Sequence, residues 1–215
     1  MNILLTGATS GIGFETLKQL IAEGHTVYAI GRNFSKISFF LKEHRSKIFD
    51  FNFDFSDVDQ IDQLFIKFNL ENQKFDGLIH CAGIEETLPL SLYSPNKVKN
   101  IFDINVFSGI ELLRHFTKKK YCNDGASVVF LSSVMGTLGQ PGKIGYCATK
   151  ASILGLVKAS ALEFAKRKIR VNAVLPGIIN TPMTQKLFGQ INENQISNSY
   201  PLSADVSGIL QKSPK

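Results

Sequence analysis

The sequence predicts an α/β protein with a doubly wound parallel sheet inside three αβα layers. Short apolar strands alternate along the chain with longer segments of helical periodicity. Strands that are apolar along their whole length are typical of parallel sheets covered by helices on both faces. A Gly-rich turn also joins the first strand to the first helix, as in nucleotide-binding Rossmann folds.

Each predicted element follows from its own pattern of apolar residues. The strands are expected at Asn2–Leu5, Thr26–Ile30, Ile48–Phe53, Leu78–Cys81, Ser127–Leu131 and Ile169–Leu175. Apolar residues three and four apart predict helices at Ile12–Glu23, Asp57–Asn69, Lys97–Lys119 and Tyr146–Arg167. Asp57 is a suitable N-cap for the second of these helices. In such a sheet the ligand lies beyond the carboxyl ends of the strands.

Bulk properties exclude several classes of protein. The 215 residues suit a single domain, 1–215, in the cytoplasm, without a signal peptide or an apolar run long enough to span a membrane. The net charge of +6 is dispersed, and the run Lys118–Lys120 suits a solvated helix end, so no nucleic-acid partner is expected. The scattered cysteines Cys81, Cys122 and Cys147 predict neither a disulfide scaffold nor a metal site.

The Gly-rich turn predicts a dinucleotide site. Gly7 permits a sharp turn out of the first strand, and Gly11 and Gly13 let the backbone and the helix approach a pyrophosphate. The helix that follows offers unpaired N–H groups and the positive end of its dipole. The residues predicted to contact the cofactor here are Gly7, Thr9, Ser10, Gly11, Ile12 and Gly13.

The end of the second strand predicts a preference for NADP(H) over NAD(H). An acidic residue about 20 positions beyond the glycines would bind both ribose hydroxyls of NAD, but Gly31, Arg32 and Asn33 stand there. The Arg32 guanidinium would pair with a 2′-phosphate, although it is also explained as a surface charge. After the third strand, Asp54 and the neighbouring Phe55 suit either the adenine amino group or a helix cap.

Taken together, these motifs make the chain resemble the short-chain dehydrogenase/reductase family, with 3-oxoacyl-carrier-protein reductases among the members it is similar to. The likeness runs from Met1 to about Thr184 and rests on ordered motifs. They are the Gly-rich turn, Ala82-Gly83, Asn105, Ser133, Tyr146-x3-Lys150 and Pro176-Gly177.

The resemblance implies a catalytic centre of Ser133, Tyr146, Lys150 and Asn105, with Ser132 as the weaker candidate for the serine. It also places a further set of residues against the cofactor: Cys81, Ala82, Gly83, Tyr146, Lys150, Pro176, Gly177, Ile179 and Thr181. In the implied reaction a hydride reduces a ketone to a secondary alcohol, Tyr146 donates the proton and Ser133 holds the oxygen. Asn105 would hold a water that connects Lys150 to solvent.

Tyr146 and Lys150 are one helical turn apart and therefore share a face. At ~5 Å and an effective dielectric of about 20, their attraction is on the order of 3 kcal/mol, or about two pKa units. We therefore expect Lys150 to bring the pKa of Tyr146 closer to neutral.

Two departures from the family pattern concern stability and assembly. His80-Cys81 stands where the family usually has two asparagines, and we expect His80 to replace some of their bracing hydrogen bonds. Ser203–Leu210 is predicted to begin a helix, and the sheet is expected to lack the family's usual last strand. A homodimer through the two long helices is then expected rather than a tetramer.

The substrate is expected to be a ketone or alcohol bound by a loop at about 180–200, whose apolar members include Met183 and Leu187. A 3-oxoacyl thioester is one candidate, with Arg167 and Lys118–Lys120 meeting an acidic carrier protein. Sugar, steroid-like and xenobiotic carbonyls are the others. The alternative function is a cofactor-binding sensor or scaffold without turnover.

Overall fold

A computed structural model describes residues 1–68 and 74–188 of the protein. The described residues form one six-stranded sheet of β1 (Asn2–Thr6), β2 (Thr26–Gly31), β3 (Ile48–Asn52), β4 (Phe75–His80), β5 (Cys122–Leu131) and β6 (Arg170–Val174). All neighbouring strands are parallel, and their order is β3-β2-β1-β4-β5-β6. The predicted doubly wound fold is confirmed. The order reverses between β1 and β4, which opens a crevice at the carboxyl ends of these strands.

Helices connect the strands. They are α1 (Gly11–Ala22), α2 (Ser38–Glu43), α3 (Ile61–Lys67), α4 (Pro95–Phe102), α5 (Ser108–Phe116), α6 (Ile144–Glu163) and α7 (Pro182–Phe188). A π-helical turn, Asp103–Phe107, joins α4 to α5, and 3-10 turns lie at Ser35–Ile37, Val58–Gln60, Leu90–Leu92, Val134–Gly136 and Ala165–Arg167.

Successive residues of the central strands face opposite layers. Leu5 and Val27 are buried in a cluster with residues of α1 and α2. Their neighbours Leu4 and Tyr28 belong to a larger cluster on the other face, with residues of α3, α5 and α6. This alternation explains why both neighbours are apolar in a strand covered on both faces.

Several predicted element bounds differ from the structure. The helix predicted at Lys97–Lys119 starts at Pro95, after the Ser94 hydroxyl accepts a hydrogen bond from the Lys97 N–H at 3.3 Å, and ends at Phe116. It is not one α-helix, since the π-helical turn interrupts it. The predicted cap by Asp57 is wrong, because its side chain makes no capping hydrogen bond and a 3-10 turn precedes α3.

Other differences concern lengths and a missed helix. The last long helix ends at Glu163 and continues only as the 3-10 turn to Arg167. Strands β4 and β5 begin earlier than predicted, at Phe75 and Cys122, and neither α2 nor α7 was predicted. Helix α7 falls within the segment predicted as a loop at about 180–200. The helix predicted at Ser203–Leu210 lies outside the described residues, as does most of the loop predicted at about 180–200.

Candidate active site

A cleft of about 890 Å³ lies along the carboxyl edge of the sheet. Turns after all six strands contribute to its lining, as expected for a ligand site at the point where the strand order reverses. Most predicted site residues are in this lining, and only Asn33 and Asn105 are not. The structure therefore brings together residues from both halves of the chain.

The turn from β1 into α1 has no room for side chains at its glycines. A Cβ atom on Gly13 would lie 2.2 Å from the Gly7 carbonyl oxygen, and Gly7 itself has a φ of +67°. Ser10 precedes α1, and its side chain makes no capping hydrogen bond. The first N–H groups of the helix are therefore not capped by Ser10 and face the cleft, where they fit an anionic group.

Gly31 and Arg32 end β2 at one end of the cleft. A Cβ atom on Gly31 would lie 2.5 Å from the Thr9 methyl carbon, so a carboxylate side chain does not fit at this position unless Thr9 moves. Arg32 is exposed and makes no hydrogen bond or ion pair with the part of the chain that the structure describes. Its guanidinium is available to a bound anion.

The polar side chains that follow β2 and β3 make hydrogen bonds within local turns. Asn33 accepts a hydrogen bond from the Ser35 N–H at 2.8 Å and lies outside the cleft lining. Asp54 accepts hydrogen bonds from the Ser56 N–H and hydroxyl through one carboxylate oxygen, each at 3.0 Å. These bonds close a local turn and are not the predicted helix cap, because the next 3-10 turn begins only at Val58. Asp54 and the buried Phe55 both line the cleft.

His80 at the end of β4 braces the neighbouring strand. Its Nδ1 lies 2.9 Å from the Thr6 hydroxyl, which also accepts a hydrogen bond from the Ala82 N–H at 3.1 Å. Burial, and secondarily the charge of Lys150, lowers the pKa of His80 to about 3. Cys81 follows in the cleft wall, where burial raises the pKa of its thiol to about 12. Both side chains are uncharged at neutral pH.

Ser133, Tyr146 and Lys150 meet in the middle of the cleft. Ser133 forms a hydrogen bond with the Tyr146 phenol, and its hydroxyl oxygen also accepts one from the Met135 N–H at 3.1 Å. The Lys150 ammonium donates to the Leu131 carbonyl at 2.8 Å and lies 5.6 Å from the centre of the Tyr146 ring.

Ser132, the weaker candidate for the serine, has a different environment. Its hydroxyl donates a hydrogen bond to the Lys150 carbonyl at 2.8 Å, so it ties the end of β5 to α6. The side chain that reaches Tyr146 is that of Ser133.

The pKa of Tyr146 differs from the sequence-based expectation. Burial raises it to about 12, while the hydrogen bond from Ser133 lowers it and the charge of Glu85 raises it further. The expectation that Lys150 brings this pKa closer to neutral is wrong here, because desolvation of the buried phenolate dominates and Lys150 is not among the groups that shift it. Burial also lowers the pKa of Lys150, to about 8.

Asn105 lies in the π-helical turn and joins two walls of the site. Its amide donates to the Ile84 carbonyl at 2.9 Å and to the Thr149 hydroxyl at 3.1 Å, and its oxygen accepts from the Ile84 N–H at 2.8 Å. A Cβ atom on Gly83 would lie 3.3 Å from the Asn105 oxygen and 3.6 Å from the Lys150 Nζ atom. The side chain of Asn105 thus holds the loop after β4, which borders Lys150.

The segment after β6 closes the remaining side of the cleft. Pro176, Gly177, Ile179 and Thr181 all line it. The hydroxyl of Thr184 donates to the Ile179 carbonyl at 2.6 Å and accepts from the Thr181 N–H at 2.9 Å, which fixes this segment at the start of α7.

The cleft also contains residues that the sequence did not single out. Glu85 and Lys143 form an ion pair in its wall, with side chains only 7% and 9% exposed. They are separated by 58 residues and belong to no motif, so spacing gave no sign of their contact. Apolar members missed for the same reason are Ile84, Ile104, Val134 and Met135.

The basic residues expected to meet an acidic carrier do not lie beside the cleft. Arg167 pairs with Asp124 at 2.7 Å and donates to the carbonyls of Thr117 and Cys122, at the start of β5. Lys118–Lys120 precede the same end of that strand. The cleft lies at the opposite, carboxyl edge of the sheet, so these residues do not border it, and the docking of an acidic carrier through them stays a prediction.

Residues 1–68 and 74–188 contain no group of three or more His, Cys, Asp or Glu side chains suited to a metal ion. Within the same ranges, every helix is too short or too polar to cross a membrane.

Comparison with known sequences points to one family. The profile of the family described as short chain dehydrogenase matches residues 1–192. The 3-oxoacyl-[acyl-carrier-protein] reductase of Thermotoga maritima is 33% identical over 197 residues, covering 90% of this chain and 80% of that protein. The reductase of the same name from Rickettsia bellii is 32% identical over 191 residues, covering 88% and 77%.

Solved structures show the same likeness. A 4-hydroxyisoleucine dehydrogenase complexed with NADH is 31% identical with a TM-score of 0.83, covering 92% of this chain and 80% of its own. ElxO with NADP bound is 28% identical with a TM-score of 0.80, covering 93% and 83%. Both nicotinamide cofactors therefore occur among the structural relatives.

Proposed function

The chain belongs to the short chain dehydrogenase family, and on that premise we propose that it reduces a ketone to a secondary alcohol with NADPH. The observation that carries the proposal is the meeting of Ser133, Tyr146 and Lys150 in one cleft with the Gly-rich turn of β1 and α1. The cleft thus combines a proton donor with a cradle for a dinucleotide.

The residues of the cleft fit such a cofactor. The space that Cβ atoms would fill at Gly7 and Gly13 leaves the backbone open to a pyrophosphate at the start of α1. Pro176, Gly177, Ile179 and Thr181 would receive the nicotinamide end, on the side of Tyr146.

The preference for NADPH rests on the end of β2. At Gly31 a carboxylate that would bind ribose hydroxyls and repel a phosphate would fit only if Thr9 moved, and Arg32 has a guanidinium free for a 2′-phosphate. Relatives with either cofactor exist, so the proposed preference rests on these two residues.

The chain's own groups supply the proton and orient the substrate. When bound, the cofactor supplies the hydride that goes to the carbonyl carbon. With a pKa of about 12, Tyr146 keeps its proton at neutral pH and donates it to the carbonyl oxygen as negative charge develops there. The Ser133 hydroxyl lies beside the Tyr146 phenol and would turn its single hydrogen to the same oxygen when the substrate binds.

Lys150, whose ammonium lies beside the ring of Tyr146, would hold the ribose hydroxyls. Its hydrogen bond to the Leu131 carbonyl sets the position of the ammonium, and its two other hydrogens would donate to the ribose hydroxyls. Asn105 would act as a positioning residue, since its side chain links Ile84 to Thr149 on α6 and its turn would hold a water leading from Lys150.

The substrate class proposed first is a 3-oxoacyl thioester, as in the names of the bacterial relatives. A γ-hydroxylated amino acid or its ketone is the second class, after the name of a structural relative.

The protein is proposed to be one domain that acts as a homodimer through α4, α5 and α6. The exposed apolar residues Val98, Ile110 and Leu162 on these helices, and Phe107 in the π-helical turn between α4 and α5, are suited to such an interface.

The test of the activity is the substitution Tyr146→Phe. We expect it to lower kcat for reduction of acetoacetyl thioesters by about 100-fold or more, because the proton donor is removed, while NADPH still binds. NADPH oxidation at 340 nm and NADPH fluorescence measure the two quantities. Tyr121→Phe, on the opposite edge of the sheet, is the control and should retain activity. NADPH binding by the native protein without turnover of any ketone would instead support a sensor or scaffold.

A further inference from the structure

The cleft contains five charged side chains, and two of them have no part in the proposed cofactor binding or proton transfer. Arg32 and Asp54 lie at the ends of β2 and β3, and Lys150 belongs to the catalytic group. Glu85 and Lys143 remain, and they are paired with each other in the wall near Tyr146. The Lys143 ammonium lies 5.9 Å from the centre of the Tyr146 ring.

The Glu85–Lys143 ion pair joins two loops, but these loops do not need the pair to stay together. Glu85 lies in the loop after β4, and Lys143 lies just before α6. The same two loops are already joined by a hydrogen bond from the Leu88 N–H to the Gly142 carbonyl at 2.7 Å. Gly142 also has a φ of +77°, and a Cβ atom there would lie 3.2 Å from the Thr87 methyl carbon, so the loops are in close contact at this point.

Burying an ion pair adds little to stability, because desolvation of both charges offsets their attraction. Both side chains nevertheless keep hydrogen-bonding groups that could bind a molecule in the cleft. Within the described ranges, the Lys143 ammonium has one polar partner, Glu85 Oε1, and the second carboxylate oxygen of Glu85 has none. An ammonium has three donors and a carboxylate accepts through both oxygens.

We propose that Glu85 and Lys143 together bind a polar group of the ketone substrate in which a hydrogen-bond donor lies beside an acceptor and the net charge is zero. The donor would bond to Glu85, and the acceptor would bond to Lys143. A group with a single charge would be attracted by one partner and repelled by the other at similar distances, so the two energies largely cancel. The proposal rests on the ketone reductase function and specifies its substrate.

Two kinds of ketone carry such a group. One is an acyl thioester whose thiol arm contains a secondary amide, and the other is a keto α-amino acid with its ammonium and carboxylate. The 5.9 Å between Lys143 and the Tyr146 ring means that the group lies only a few bonds from the reacting carbonyl in either case.

The experiment compares kcat/KM for matched ketones with NADPH. Acetoacetyl-N-acetylcysteamine is paired with S-butyl acetothioacetate, which lacks the amide, and 2-amino-4-oxopentanoate is paired with 2-pentanone. In at least one pair we expect the native protein to prefer the first ketone by about tenfold or more, as expected for hydrogen bonds to charged groups. The pair that shows the preference identifies the source of the polar group.

The decisive variant is the double substitution Glu85→Leu/Lys143→Met, which removes both charges at once. The ratio of kcat/KM within the preferred pair should fall to about one, whereas loss of a purely structural contact would lower kcat/KM for both ketones alike. The neighbouring exposed ion pair Glu86–Lys97 does not line the cleft, so Glu86→Leu/Lys97→Met is the matched control and should keep the native ratio.

A variant that does not bind NADPH or unfolds is replaced by Glu85→Gln/Lys143→Gln, which is expected to reduce the ratio at least threefold. A native ratio of one in both pairs, or a native ratio retained by a folded variant, overturns the proposal. A native protein that reduces none of the four ketones overturns the proposed reductase function itself, and this result is distinct from either of the others.

Discussion

Under the proposed function, two adjacent residues at the end of β2 would determine which adenosine ribose the cleft accepts. Gly31 disfavours a side chain at its position because Thr9 would have to move, and Arg32 offers an unpaired guanidinium. The first effect is steric and the second is electrostatic, so they can be separated by substitution. Changing Arg32 removes the attraction and leaves the space at Gly31 as it was.

We therefore predict that Arg32→Ala weakens NADPH binding by about tenfold to 100-fold and leaves NADH binding nearly the same, since only NADPH has the 2′-phosphate. The factor corresponds to a hydrogen bond to a charged group, about 1.5–3 kcal/mol. Fluorescence titration with both cofactors measures it. Arg170→Ala, at the exposed start of β6, is the control. Equal weakening of NADH and NADPH would show that Arg32 acts through the fold rather than through the phosphate.

Single residues differ in how far the sequence reveals their role. Tyr146, Lys150 and Ser133 were predicted from the motifs of the family that the chain resembles, and helical spacing adds that the first two share a face. Glu85 and Lys143 were not, because their contact joins loops 58 residues apart. Neither loop has a periodicity from which their approach could be calculated.

At the scale of elements, the junction of β1 and α1 is the tightest contact around the cleft. The helix can begin close to the strand only because Gly13 has no side chain, and this closeness leaves the helix N-terminus exposed to the cleft. The binding of a phosphate and the packing of α1 on the sheet therefore depend on the same glycine.

We predict that Gly13→Ala lowers the free energy of unfolding by about 1–3 kcal/mol and weakens NADPH binding at least tenfold, because the added carbon forces α1 away from the Gly7 carbonyl. Urea denaturation and fluorescence titration measure the two effects. Gly155→Ala is the matched control, since nothing lies within 4 Å of its added carbon, and it should stabilise α6 by up to about 1 kcal/mol. A stable Gly13→Ala protein with native affinity would contradict the prediction.

Strands were predicted better than helix boundaries. Their cores agree with the sheet because a continuous apolar run has few other solutions in an α/β chain. The segment from Lys97 to Lys119 was predicted as one helix because its apolar spacing hardly changes through the π-helical turn at Asp103–Phe107. That turn depends on contacts of Asn105 with Ile84 and Thr149, which no local pattern encodes.

At the scale of the whole molecule, burial shifts the pKa values of some groups in a direction that their nearest charged neighbours would not predict. Tyr146 shows this, because its pKa rises although a cation is one helical turn away. The packing around a residue depends on all layers of the fold, so the sequence identified the residue but not the sign of the shift. His80 is a second case, with consequences for stability.

We predict that the protein loses stability as the pH falls from 6.5 toward 3, and that His80→Asn reduces this loss. The pKa of His80 is about 3 in the folded protein and near 6.5 when unfolded, so the unfolded chain binds more protons across this window. Protonation therefore favours unfolding, by on the order of a few kcal/mol.

The measurement is the free energy of unfolding in urea at pH 7 and at pH 5. The difference between the two values should be smaller for His80→Asn than for the native protein, because asparagine does not titrate and can still bond to Thr6. His44→Asn, at a half-buried position beside Phe40, is the control. The same pH difference in His80→Asn and the native protein would show that other groups cause the acid sensitivity.

The reversal of strand order between β1 and β4 also makes the two proposed selectivities of the protein separable. In the proposed complex, the residues at the adenosine end come from the first 55 positions, whereas Ser133, Tyr146, Lys150 and the Glu85–Lys143 pair come after position 80. Free-energy changes at sites without shared partners add. Cofactor choice and substrate choice can therefore evolve, or be redesigned, independently, as though the chain were two exchangeable modules within one sheet.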